Sequence, residues 1–144
     1  DGLAGGTTVS YLLFFGLLIF SSETDFGIMA FVMCGAVAAF LVFNTNRASV
    51  FMGDTGSLAL GSFISCISVF SGNALYIPVI GIMFVVSGIS VIVQVIYYKR
   101  TRRRIFLMAP VHHHFQMKGY AESKISYAYA AITAAVGMLC LSFA

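Results

Sequence analysis

Phe26-Gly-Ile-Met-Ala-Phe-Val-Met-Cys-Gly-Ala-Val-Ala-Ala-Phe-Leu-Val-Phe43 runs without a single charged side chain. A helix crossing a bilayer needs about 20 predominantly apolar residues. This stretch is of that kind, and its surroundings repeat it. Four further apolar segments fall at 3–20, 58–75, 76–98 and 125–143. In all, 60% of the 144 residues are hydrophobic, 9% are charged, and the mean hydropathy is +0.96. A soluble domain carries about 25% charged residues. Intrinsic disorder and an ordinary water-soluble core are both excluded, since too little polar surface exists to cover such a core. The fold class expected is all-α: a polytopic transmembrane bundle of about five spans. The segment 76–98 is long and is expected to kink or break, because it contains Pro78 and the small-residue cluster Ser87-Gly-Ile-Ser90. The serines of the third segment (Ser62, Ser65, Ser68, Ser71) can bond back to the preceding turn or across to a neighbouring helix.

The connections sort by charge. Ser21–Asp25 is acidic and lacks Lys and Arg, whereas Asn44–Gly56 carries Arg47 and Lys99–Lys124 carries the other seven basic residues. With five spans, all eight basic residues fall on one side. Basic residues mark the cytoplasmic side, so the Arg47 and Lys99–Lys124 loops are expected there, with the C-terminus external. The net charge of +3 is too small and too localised to suggest a nucleic-acid partner. Cys34, Cys66 and Cys140 lie in apolar runs without metal-ligand spacing and read as small hydrophobes.

Three stretches on the basic side carry the unusual polar residues: Asp1–Gly6, Asn44–Ser57 and Ala109–Phe115. In the second, Gly53 and Gly56 flank Asp54, and Ser57 is expected to open a helix. Ser57 alone could be an N-cap. That leaves the glycines and Asn44 unexplained. A phosphate and metal site accounts for them, since glycines let backbone N–H groups approach phosphate oxygens and one carboxylate beside substrate phosphates can hold Mg²⁺. In the third stretch, His112, His113 and His114 are adjacent, and three adjacent imidazoles cannot share one helix face, which argues against zinc. They can bind phosphate, exchange protons or orient a carboxylate; a polar surface loop is the plainer alternative. The run Lys99–Arg104 reads first as an anchor for anionic headgroups.

Three strings carry a resemblance. Phe51-Met-Gly-Asp-Thr-Gly-Ser-Leu-Ala-Leu-Gly61 resembles a signature of the polyprenyl-phosphate sugar-1-phosphate transferases. Phe106-Leu-Met-Ala-Pro-Val-His-His-His-Phe115 resembles the triple-histidine signature of their phospho-N-acetylmuramoyl-pentapeptide-transferase branch. Asp1-Gly-Leu-Ala-Gly5 matches the second half of a further motif of that family. The resemblance implies transfer of phospho-MurNAc-pentapeptide from UDP-MurNAc-pentapeptide to undecaprenyl phosphate, giving lipid I and UMP, at the inner face of the bacterial cytoplasmic membrane. It implies Mg²⁺ held by Asp54, a uracil stacked on Phe51, Asn44 in the same polar site, and Asp1 in the nucleoside pocket. Gly53 and Ser57 would serve the substrate, and His112, His113 and His114 would contact phosphate or sugar or orient the site. It also implies a homodimer.

The chain departs from the family pattern at Gln116, where Glu is usual, and at Asn46–Ser49, where a Pro-Ala pair is common. It starts at Asp1 inside a motif, so it is expected to be the C-terminal half of a roughly ten-span transferase and inactive by itself. The alternatives are a related GlcNAc-1-phosphate transferase, against which the histidine string argues, and a non-catalytic membrane protein. A transporter segment would show intramembrane charge or paired half-repeats, and the sequence has neither.

Overall fold

The computed structural model describes residues 2–45 and 48–143. Seven helices follow in order: α1 (Leu3–Ile19), α2 (Thr24–Asn44), α3 (Gly53–Phe70), α4 (Tyr76–Ile80), α5 (Ile82–Thr101), α6 (Val111–Met117) and α7 (Glu122–Phe143). No strand occurs among the described residues. α2, α3, α5 and α7 are each long and apolar enough to cross a membrane, and α1 is apolar but shorter at 17 residues. The chain is a multi-pass helical membrane protein, as its composition requires.

α1 is the centre of the bundle. It is sandwiched between α2 and α7, and its Tyr11, Leu12, Phe15 and Ile19 are wholly buried. Ala30 of α2, Ile64 and Ile67 of α3, and Ile80 of α4 complete this core. Between apolar helices in lipid, close packing replaces the hydrophobic drive, so small residues mark the contacts. Gly137 of α7 shows why: a Cβ built there would lie 2.5 Å from the Cβ of Phe14. The outward flanks remain apolar and uncovered, as at Val32, Val42, Leu58 and Phe70.

α3 has its fully buried residues in its far half. Ile64, Ile67 and Ser68 are its buried residues, and the Ser68 hydroxyl meets the Tyr11 hydroxyl of α1 at 3.2 Å. Ser65 instead bonds back to the Gly61 carbonyl at 2.9 Å, so both expected uses of the serines occur. The Gly53 end of α3 is exposed.

Three boundaries differ from the sequence reading. α3 starts at Gly53 rather than near Leu58, so the whole Gly-Asp string forms its first turns; Gly53, at φ 65°, supplies the left-handed residue that turns the chain into the helix. The long fourth segment breaks once, at Gly81, three residues past Pro78, while Ser87-Gly-Ile-Ser90 stays helical. Pro78 sits in the first turn of α4, where its missing N–H costs nothing. Ala109–Phe115, read as a loop, contains the start of the seven-residue helix α6.

Candidate functional site

The three polar stretches meet at one end of the bundle, and Asn44 ties two of them. Its side-chain oxygen accepts the Gly2 N–H at 3.0 Å and its amide nitrogen donates to the Val50 carbonyl at 2.8 Å. Asn44 is buried, so both contacts replace water that the carboxamide has lost. Asp1, expected beside it, lies outside the described residues.

The third stretch joins through a cavity of about 480 Å³. Leu3 and Thr8 of α1, Ser57 and Ile64 of α3, His112 of α6 and Tyr129 of α7 are among its walls. The lining surface is almost entirely apolar, and its polar residues are His112 and the hydroxyl-bearing Thr8, Ser57, Ser65, Ser87 and Tyr129. His112 lies edge-on to Tyr129, with ring centroids 6.2 Å apart, and its Nδ1 is buried without a hydrogen-bond partner. Burial, helped by the adjacent His113, holds the His112 imidazole below its ordinary pKa. The ring is therefore neutral near pH 7.

The three imidazoles do not share one face: the His112 and His113 rings stand side by side, centroids 4.4 Å apart, and His114 points elsewhere. His113 faces a second, smaller cavity of about 130 Å³, which it shares with Leu3, His112, Gln116 and Glu122. Its Nδ1 is hydrogen-bonded to the Gln116 carboxamide oxygen. The residue that departs from the family pattern is thus the direct partner of the middle histidine. His114 turns away from both cavities: its Nδ1 accepts the Leu107 N–H at 3.1 Å and its ring packs edge-on against Phe106.

Asp54 is exposed in the first turn of α3, and its carbonyl, not its carboxylate, accepts the Ser57 hydroxyl at 3.0 Å. That bond corrects the N-cap reading of Ser57, because the cap position is Met52 and the Ser57 side chain reaches back into its own helix. Phe51 is 75% exposed and lines a different cavity, of about 350 Å³, between α2 and α3. Met52 and Leu60 line both that cavity and the one holding His112, so they form the partition between them. Among the described residues no group of three or more His, Cys, Asp or Glu is arranged to hold a metal ion. Asp54, a single exposed carboxylate, could give one oxygen to a hard cation whose other ligands came from substrate and water.

Sequence reasoning missed two residues that shape this end of the molecule. Gln94 and Ser90 of α5 bind the backbone of the segment leading to the histidines. A signal existed, since Gln94 is the lone carboxamide in 82–98, a stretch that is apolar but for it, two serines and two terminal tyrosines.

Relatives match most of the chain. Phospho-N-acetylmuramoyl-pentapeptide-transferase of Rubrobacter xylanophilus is 43% identical over 87% of the chain and 38% of its own length. That of Dictyoglomus turgidum is 41% identical over 90% and 42%. That of Alkaliphilus metalliredigens is 44% identical over 97% and 44%. The chain thus spans about two-fifths of the length of the curated relatives it matches. The family model for glycosyl transferase family 4 matches residues 1–72, which contain Asn44 and the whole Gly-Asp string. With half its length in that match and its helices meeting where those residues lie, the chain belongs to glycosyl transferase family 4.

Proposed function

We propose that the chain contributes to a phosphoglycosyl transferase that moves phospho-MurNAc-pentapeptide from UDP-MurNAc-pentapeptide to undecaprenyl phosphate, forming lipid I and releasing UMP in peptidoglycan biosynthesis. One observation carries the reading: Leu3, Ser57 and His112, one from each motif-bearing stretch, line a single apolar cavity at one end of a membrane bundle. The acceptor has a polyprenyl tail and an anionic head, and a cavity of that lining at the bilayer rim suits both.

The phosphate oxygen of the acceptor attacks the sugar-bearing phosphorus, a new P–O bond forms, and the bond to UMP breaks. Such chemistry depends on positioning and charge neutralisation more than on covalent help. Asp54, exposed and at a helix N-terminus, would hold Mg²⁺, which when bound neutralises charge on the diphosphate. The Gly53 backbone leaves room for a phosphate, since nothing lies within 4 Å of where its Cβ would be. Phe51 offers an open ring face to the uracil, Asn44 fixes the entry to that loop, and Asp1 would complete the nucleoside pocket. His112, neutral, presents nitrogen at the cavity; His113, set by Gln116, presents its other nitrogen to sugar or phosphate. These loops would face the cytoplasm, and the implied homodimer belongs to the same proposal.

The test is turnover of both substrates by the gene product in membranes. Asp54→Asn is expected to lower it at least about 100-fold, in line with losing a charge that acts in the transition state, and chelation followed by Mg²⁺ is expected to abolish and restore it. Turnover of UDP-GlcNAc in place of the MurNAc-pentapeptide nucleotide would move the assignment to the related transferase. Turnover indifferent to Asp54 and to metal would end it.

A further inference from the structure

After α5 the chain doubles back along that helix. Ser90 lies eleven residues before Thr101, about 16 Å along the axis at 1.5 Å per residue, yet Ser90 touches Val111 at the start of α6. The returning segment, Ile105–Pro110, has no helix or strand of its own to satisfy its backbone, and Val111 opens α6 with its N–H still outside the helix's own bonds. Polar groups on α5 and α6 do so instead. The Gln94 carboxamide makes three bonds: its oxygen accepts the N–H groups of Ile105 at 3.1 Å and Phe106 at 3.0 Å, and its nitrogen donates to the Phe106 carbonyl at 3.1 Å. The Ser90 hydroxyl accepts the Val111 N–H at 3.0 Å while donating to the Ser87 carbonyl at 2.6 Å. His114 takes the Leu107 N–H between them. Ser87 in turn meets the Tyr129 hydroxyl at 3.1 Å, and Tyr129 is the ring against which His112 rests.

From these contacts the geometry points to Gln94 as the positioning residue of the histidine turn, with Ser90 as its second fixing point: the pair clamps Ile105–Val111 along α5 and so sets where His112 and His113 stand. A side chain that offers both a donor and an acceptor to successive backbone groups fixes register as well as proximity, which an apolar contact cannot do. The clamp also gives His114 a different duty from its neighbours. Its Nδ1 is occupied by the Leu107 N–H, so it serves the segment rather than either cavity. Gln94 is placed as acting through the histidines and not on substrate. This inference rests on the proposed transfer reaction for its functional half and on geometry alone for its structural half.

Two measurements on the gene product in lipid nanodiscs separate the halves. Amide hydrogen exchange should find the Ile105–Val111 segment protected, and Gln94→Leu should release it while α7 stays unchanged. The same variant should lower kcat about 10- to 100-fold with KM for the nucleotide substrate within about twofold, since a misplacement of about 1 Å can cost that much. Gln94→Glu keeps the two acceptor bonds and should hold both protection and rate above those of Gln94→Leu. Ser90→Ala, which removes the second point alone, should release Val111 preferentially. Exchange that is already fast, or is untouched by Gln94→Leu, overturns the clamp. Released exchange with wild-type kcat overturns the positioning role. Intact protection in a wild-type protein that transfers nothing overturns the functional reading, and the positioning role falls with it.

Discussion

His112 shows how much one side chain's surroundings decide. Its ring is enclosed by Leu3, Tyr129 and the neighbouring imidazole, and burial is the larger of the influences that depress its pKa. The unfolded chain therefore binds a proton on this ring at a pH where the folded chain does not. Between the lowered folded value and the ordinary 6.5, folding stability rises with pH; it is fully present above about 6.5 and is lost as the solution is acidified. His112→Gln should flatten the acid side of a plot of thermal midpoint against pH between 5 and 7. An unaltered acid slope in the variant would place the titration elsewhere. Sequence could nominate these histidines because three in a row is unusual in an apolar chain. It could not say that His112 and His113 face cavities while His114 binds Leu107, because that division depends on the path of a segment held by residues a dozen positions away.

At the scale of elements, the spans were legible because charge is so costly in lipid that it punctuates the chain unambiguously. Their internal breaks were not. Pro78 and Ser87–Ser90 looked alike as helix breakers, yet the break falls at Gly81, and the serines stay helical with their hydroxyls spent on Tyr129 and on a preceding carbonyl. α6 was invisible for another reason: at seven residues it has too few turns to show a period. Contacts between elements are where substitution should speak most clearly. Gly137→Ala puts a methyl 2.5 Å from the Phe14 Cβ, at a point where both partners are helix-borne and cannot yield separately. Overpacking of this kind costs about 1–3 kcal/mol, so the variant should lose several degrees of thermal midpoint in detergent. Gly61, where a Cβ would meet nothing within 4 Å, provides the control: Gly61→Ala should leave that midpoint unchanged or raise it.

For the whole molecule, charge asymmetry indicated that distant stretches would gather at one end, and the structure gathers them through Asn44 and the cavity of Leu3, Ser57 and His112. The partition that keeps Phe51 out of that cavity was not legible, since it follows from which face of α3 leans inward. Orientation is open to direct measurement. Single cysteines placed at Ser22 and Arg103, in a background lacking the native three, should react with an impermeant thiol reagent from opposite sides of the membrane, Arg103→Cys from within. Labelling of both from one side would break the topology on which the transferase reading depends.

The seat of α3 has a mechanical consequence. Its fully buried residues stop at Ile64, and its first turn, with Asp54, is exposed. Ten residues separate Ile64 from Asp54, a lever of about 15 Å, so a swing of about 8° about Ile64 would sweep the carboxylate through about 2 Å. On the proposed reading, a small octahedral ion at Asp54 would need its oxygens at about 2.0–2.1 Å, a tolerance tighter than that sweep. A substrate docked across Asp54 would then also be the stay that steadies this end of the helix.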